Sequence, residues 1–199
     1  MIKFLLAALL AVVFTSCTST HAHISEYRIA PEVNIKALQQ GKCADKTIKV
    51  GQTFSSSLYR RLDMNYAQDG YKLDTYTESQ WAISLNHAVN AQLVNMLNAS
   101  NIFKSVQVSK SRSSSNYILE TNIENFMQYF DSSAKKSTVK VKISMTLIDS
   151  RSTKVVASKI FMANVPSKEL DADGGVKALN IALGNVLVDS SLWLEAVCK

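Results

Sequence analysis

The sequence lacks the short motifs that mark common catalytic sites. It contains no G-x-S-x-G nucleophile elbow, no phosphate-cradling glycine loop and no H-E-x-x-H zinc motif. It has only three histidines, His21, His23 and His87, and no compact Asp/His/Ser set. His87 stands beside the apolar stripe of a predicted helix, and the His21/His23 pair lies near a terminus; both positions are more typical of solvated side chains than of a general base or a metal site. We therefore predict a protein that is not an enzyme and has no metal or cofactor.

The sequence also lacks an apolar run long enough to span a bilayer, which needs about 20 residues. Residues 4–13 are free of charge, proline and glycine, and Lys3 precedes them. An uncharged run of this length is typical of the h-region of a secretory signal peptide. Residues 14–17 (FTSC) resemble a bacterial lipobox, with Phe14 in place of the usual leucine. That resemblance implies cleavage before Cys17 and a lipid on Cys17. An ordinary signal peptide and an uncleaved membrane anchor are the alternatives.

These signals divide the chain into three parts. Residues 1–16 are the predicted lipoprotein signal peptide, residues 17–24 the lipidated cysteine with its tether, and residues 25–199 a single domain of ordinary size. The formal net charge of +6 is scattered, with local clusters only at Lys135/Lys136 and Lys140/Lys142. A nucleic-acid-binding protein would gather its charge into a stripe or motif. We therefore predict no nucleic-acid partner.

The cysteine count favours one disulfide. If Cys17 carries lipid, Cys43 and Cys198 are the two remaining cysteines, and they lie in an oxidising compartment. An even number of cysteines there is more often paired in disulfides than left as free thiols. Neither has the close Cys or His spacing of a zinc site. We predict a Cys43–Cys198 disulfide, with two free thiols as the alternative.

Hydrophobic periodicity predicts an α+β fold. Alternating residues predict strands, and apolar residues spaced by three and four predict a helix over 79–99 and a second from about 176 to near 198. Asp173 is predicted to cap the second helix rather than bind calcium. We expect an antiparallel β-sheet with two long helices packed on one face, a two-layer sandwich. The predicted strands are 25–29, 47–50, 58–64, 71–76, 103–108, 117–126 running towards 130, 136–149 and 155–165, the last three forming a meander.

Several short segments follow one another in a recognisable order: residues 76–81 (YTESQW), Leu93 and Leu97, Phe103 and Val106, residues 117–119 followed by Phe126, the strand ending in Asp149, and residues 176–180 (VKALN). This succession resembles the ABC-type transport auxiliary lipoprotein family, of the PqiC and YmbA type. The resemblance covers nearly the whole mature chain, although segment 35–46, with its cysteine, is longer than the family pattern.

The resemblance implies a non-catalytic accessory protein of an envelope lipid transporter. Expected partners are an MCE-domain protein and the permease and ATPase of an ABC transporter, and the membrane through the lipid anchor; a homo-oligomer is left open. Thr18 after Cys17 is compatible with sorting to the outer membrane, by analogy with enterobacterial lipoproteins. The alternatives are an envelope assembly factor or peptide-binding module, LptE-like or TolB-N-terminal-like, and a lipid-binding shuttle.

Aromatic residues around one strand end are candidates for the partner contact, because aromatic side chains often anchor interfaces. Tyr129 and Phe130 are the better candidates, since adjacent strand residues point to opposite faces of a sheet and only one face should be covered. Tyr76 and Trp81 are the others. The competing interpretation is that most of these side chains belong to the core, Trp81 above all.

Overall fold

The computed structural model describes residues 23–35, 37–38 and 41–198. The predicted signal peptide, Cys17 and most of the tether lie outside these residues. The helices of the described part are α1 (Leu85–Ser100) and α2 (Ala172–Val197), with one short 3-10 turn, Ser57–Tyr59. Its strands are β1 (Ser25–Tyr27), β2 (Cys43–Val50), β3 (Phe54–Ser55), β4 (Asp63–Gln68), β5 (Lys72–Trp81), β6 (Phe103–Val108), β7 (Tyr117–Phe130), β8 (Ser137–Asp149) and β9 (Val155–Pro166).

Strand β7 is the centre of the sheet. Along one edge it pairs antiparallel with β8, which in turn pairs with β9, so the predicted meander is present. Along the other edge it pairs in parallel with three short strands in succession, β2, β3 and β4. Strand β6 extends the sheet beyond β2, and β5 and β1 extend it beyond β4. The sheet is therefore mixed and not antiparallel throughout, because β2, β3 and β4 run in the same direction as β7.

One face of the sheet is covered by both helices, and the α+β fold class is confirmed. Five inward apolar residues of β8 are fully buried: Val139, Val141, Ile143, Met145 and Leu147. They form one core cluster with the apolar stripes of α1 and α2, which contact each other. The intervening β8 side chains are only half-buried. We call the helix side the buried face and the opposite side of β7, β8 and β9 the open face.

Two predicted elements differ from the structure. Residues 58–64 are not one strand, because the 3-10 turn ends at Tyr59 and β4 starts at Asp63. Tyr59 is buried, and its hydroxyl forms a hydrogen bond with the backbone of Phe126, between the stretches of β7 that β3 and β4 occupy. Helix α1 begins at Leu85 and not near Ser79, since residues 79–81 pair with β1 and Gln80 also pairs with Asp63 of β4.

The second helix is capped by Asp171 rather than by Asp173. The Asp171 carboxylate accepts a hydrogen bond from the backbone N–H of Gly174 at 2.8 Å, which is the geometry of an N-cap. Asp173 lies in the first turn and forms an ion pair with Lys177 at 2.6 Å, four residues on.

The two cysteines of the domain lie together in the core. Cys43 begins β2 and Cys198 directly follows α2, and the structure joins them by a disulfide with their Cα atoms 5.8 Å apart. The bond links an early strand to the last helix across 155 residues of sequence.

Candidate docking surface

The two aromatic residues at the end of β7 point to opposite faces of the sheet. Phe130 pairs with Ser137, which is buried, whereas Tyr129 pairs with Thr138, which is exposed. Phe130 therefore lies on the buried face and Tyr129 on the open face, as the alternation of strand side chains predicts.

On the buried face, Phe130 belongs to an aromatic cluster under the start of α2. The ring of Tyr66 lies 4.7 Å from that of Tyr76 and 5.4 Å from that of Phe130, between centroids. The Tyr76 hydroxyl donates a hydrogen bond of 2.9 Å to Oε1 of Gln128, and burial raises the pKa of Tyr76. Gln128 in turn donates through Nε2 to the hydroxyl of Ser137 at 2.8 Å. Tyr76 thus packs against the core, and the half-buried Phe130 packs against Tyr66 beside it.

Trp81 does not contribute to a docking surface. Its side chain is 3% exposed, and its ring meets that of Phe126 edge-on at a centroid distance of 6.3 Å. The helical spacing that placed it on the α1 stripe is coincidental, because Trp81 is the last residue of β5. The core interpretation is the one that holds for this residue.

On the open face, Tyr129 lies at the centre of a polar patch. The ammonium of Lys140 lies 5.2 Å from the centroid of the Tyr129 ring, a cation–π geometry. The side-chain amide of Asn125 donates a hydrogen bond to the Tyr129 hydroxyl. These contacts fix a half-buried tyrosine in one orientation at the surface. We define the Tyr129 patch as Asn125, Tyr129, Thr138 and Lys140.

An ion pair borders the Tyr129 patch. Lys142 contacts Glu124 at 2.7 Å, and the hydrogen bond from Lys142 lowers the pKa of the Glu124 carboxyl. Since Lys142 is paired in this way and Lys140 has no ion pair within the described residues, Lys140 is the cation that the open face offers to a partner.

The opposite end of β7 carries an open polar cleft of about 660 Å³. Its polar groups are largely engaged with one another: the Asn116 side chain accepts from the backbone N–H and the hydroxyl of Thr47, at 2.9 and 3.1 Å. Hydrogen bonds from the backbone N–H and hydroxyl of Ser152 lower the pKa of Asp149. These contacts hold the strand ends in place. The cleft is lined by Lys46, Thr47, Lys49, Ser114, Ser115, Asn116, Ile118, Asp149, Ser150 and Arg151.

Within residues 23–35, 37–38 and 41–198, no three His, Cys, Asp or Glu side chains lie close enough together to hold a metal ion. Neither helix of that part of the chain is long and apolar enough to cross a membrane.

The comparison with protein families decides the assignment. The sequence model of the ABC-type transport auxiliary lipoprotein component matches residues 29–189, from just after β1 to within α2. The chain belongs to this family. The sequence matches none of the curated proteins.

Solved structures share the fold of this auxiliary lipoprotein component. The crystal structure of protein XCC0632 from Xanthomonas campestris, of the DUF330 family, is similar at a TM-score of 0.74 and 17% identity, covering 87% of this chain and 96% of that one. A crystal structure of an uncharacterized protein is similar at a TM-score of 0.67 and 13% identity, covering 86% and 99%. At these identities the likeness concerns the fold alone.

One surface feature of this auxiliary lipoprotein component was not predicted. Ile160 and Met162 of β9 are 56% and 58% exposed, on the open face. The signal was available in the sequence, since β9 carries large apolar residues on both faces: Ile160 and Met162 on one, Phe161 on the other. A strand covered on one side only should carry them on one face.

Proposed function

We propose that this chain is a non-catalytic auxiliary lipoprotein, anchored in the outer membrane through Cys17, which docks the periplasmic lipid-carrying assembly of an MCE/ABC-type transport system. The observation that carries the proposal is the family match over residues 29–189, nearly the whole described domain. The lipobox-like residues 14–17 and Thr18 support the anchor and its membrane.

The short tether supports a role at the membrane surface. Seven residues, 18–24, separate Cys17 from β1. Fully extended they reach about 25 Å, so a lipidated Cys17 keeps the domain within one domain diameter of the bilayer. A domain held in this way suits an accessory that keeps a larger periplasmic assembly in place.

The Tyr129 patch is the proposed contact with the MCE-domain partner. It combines a fixed aromatic ring with the unpaired cation Lys140, and interface hot spots are enriched in such aromatic anchors. A partner surface with an apolar hollow beside a carboxylate would match both groups.

Replacing Cys17 with serine should abolish labelling of the protein with radioactive palmitate, because serine offers no thiol for the thioether-linked lipid. The protein should then leave the membrane fraction or retain its signal peptide. Unchanged labelling of the Cys17→Ser variant would contradict the anchor.

Replacing Tyr129 with alanine should weaken binding of the MCE-domain partner about tenfold or more, about 1.4 kcal/mol, since the substitution removes the anchoring ring. The measurement is pull-down or titration with the partner encoded beside the transporter. Tyr71→Ala is the matched control, as Tyr71 is 85% exposed in the turn before β5 and lies outside the patch.

Phe130→Ala is the variant that distinguishes a loss of partner binding from a loss of stability. Because Phe130 packs against Tyr66 on the buried face, its loss should lower the melting temperature more than that of Tyr129→Ala. If Tyr129→Ala folds and retains full partner binding, the Tyr129 patch is not the contact.

A further inference from the structure

Strand β9 presents a long bare edge. Within the part of the chain that the structure describes, β9 pairs with β8 alone, over Val155–Pro166. The backbone N–H and C=O groups on its outer side are therefore left without a strand partner along about 36 Å. Such an edge is a ready template for pairing with another strand.

The edge is also apolar. Val155, Ile160 and Met162 are each more than half exposed on this one strand. Proteins usually protect a free edge with charge, proline or a bulge. In β9 the ladder is irregular at Val156 and the strand ends in Pro166, and between these two residues it carries only the charge of Lys159. The regular apolar stretch from Ala157 to Val165 is an aggregation hazard unless another strand covers it.

The side chains of β9 are arranged symmetrically about Phe161. Ile160 and Met162 flank it, Ser158 and Asn164 stand three residues from it on either side, and beyond them Ala157 matches Val165 and Val156 matches Pro166. In an antiparallel pair centred on Phe161, each of these apolar residues would face an apolar residue and Ser158 would face Asn164; Lys159, opposite Ala163, is the exception. Self-complementarity is the property that a two-fold interface between identical chains requires.

We propose that two copies of this chain pair antiparallel along the outer edge of β9, with the two Phe161 residues on the two-fold axis. Ile160 of each copy faces Met162 of the other on the open face, and Ser158 faces Asn164. A slip by two residues would place Ser158 opposite Met162, and a slip by one would set the buried face against the open face. The register is therefore specified by the side chains.

The charge on the strand is compatible with this pairing. In the proposed register Lys159 faces Ala163 of the other copy, and the two Lys159 residues are about 13 Å apart. That separation exceeds the Debye length of about 8 Å at physiological ionic strength, so their repulsion is largely screened. Each Lys159 ammonium also lies 5.2 Å from the centroid of its own Phe161 ring.

The test is disulfide trapping of the full-length protein in its own membranes. The double substitution Ile160→Cys/Met162→Cys should yield a covalent dimer on a non-reducing gel, because each new thiol would face the other across the axis. Val156→Cys/Met162→Cys is the matched control, because the thiol at position 156 lies about 13 Å along the strand from the position that faces residue 162 of the other copy. The two thiols at position 162 stand only diagonally, about 8 Å apart, which exceeds the usual Cα separation of a disulfide, so this variant should yield several-fold less dimer.

A second variant tests the interface without new thiols. Met162→Lys should shift the detergent-solubilised protein from dimer to monomer in analytical ultracentrifugation, whereas Ile181→Lys, at a position 57% exposed on α2, should leave the dimer intact. Both positions are exposed, so melting temperatures near that of the unmodified protein verify the fold. Equal trapping of both cysteine pairs, a monomer at all concentrations, or trapping to a different protein only would each overturn the proposal.

Discussion

Replacing Cys198 with alanine should lower the free energy of unfolding by about 2 to 5 kcal/mol. The disulfide to Cys43 closes a loop of 155 residues, and the chain-entropy model gives about 5 kcal/mol for a loop of this length. For a domain of this size the loss corresponds to a fall of about 5 to 20 °C in melting temperature. Thermal and urea unfolding of the mature protein, followed by circular dichroism, measures both.

The double variant Cys43→Ala/Cys198→Ala and a reductant provide the controls. Reductant should lower the melting temperature of the unmodified protein towards that of Cys198→Ala and leave both variants unchanged. Titration of the native protein without reductant should find neither Cys43 nor Cys198 as a free thiol. Two reactive thiols in the native fold would refute the pairing.

Replacing Gly175 with alanine should cost about 2 to 4 kcal/mol of stability, although alanine is the better helix former. Gly175 lies in the first turn of α2, directly over Gln128, and a Cβ there would collide with Oε1 of that side chain. Gln128 is 2% exposed and uses this amide to bond both Tyr76 and Ser137. Displacing it leaves buried polar groups without partners, at about 1 to 3 kcal/mol for each group.

Two comparisons isolate the collision. Gly184→Ala, also on a buried turn of α2, should be neutral or stabilise by up to about 1 kcal/mol, because its Cβ would meet only Glu32 and Pro31 at 3.4 and 3.8 Å. In a Gln128→Ala background the cost of Gly175→Ala should shrink, since the colliding atoms are gone. An equal cost in both backgrounds would show that contact with Gln128 is not the cause.

The elements that could be predicted from the sequence are those in which burial of one face alone determines the alternation of apolar and polar residues. In β8, Val139, Val141 and Ile143 alternate with polar residues because one face meets the helices and the other meets solvent. The same rule placed Tyr129 and Phe130 on opposite faces. It could not say which of the two faced solvent, because that depends on where α1 and α2 lie.

The predictions that failed were those where tertiary pairing overrides local pattern. Residues 79–81 fit the helical spacing of α1, yet they form the end of β5 because β1 pairs with all three residues and β4 pairs with Gln80. Residues 58–62 alternate like a strand but include a turn that places Tyr59 beside β7. Parallel pairing was likewise invisible, since alternation reveals a strand and not its neighbour.

The central position of β7 also determines the order in which the parts of the sheet can assemble as the chain folds. The pair β2–β6 and the group β1–β5–β4 are bridged within the described sheet only through β7, and Cys43 meets its partner only when residue 198 is present. Chains emerge from the ribosome and the secretion channel with the N-terminus first. We expect the first half of each new molecule to stay open to proteases until the second half arrives, and a pulse-chase with limited proteolysis should find resistant protein only after α2 has been exported. Secretion of this chain would therefore depend on whatever shields an unfinished sheet during that interval.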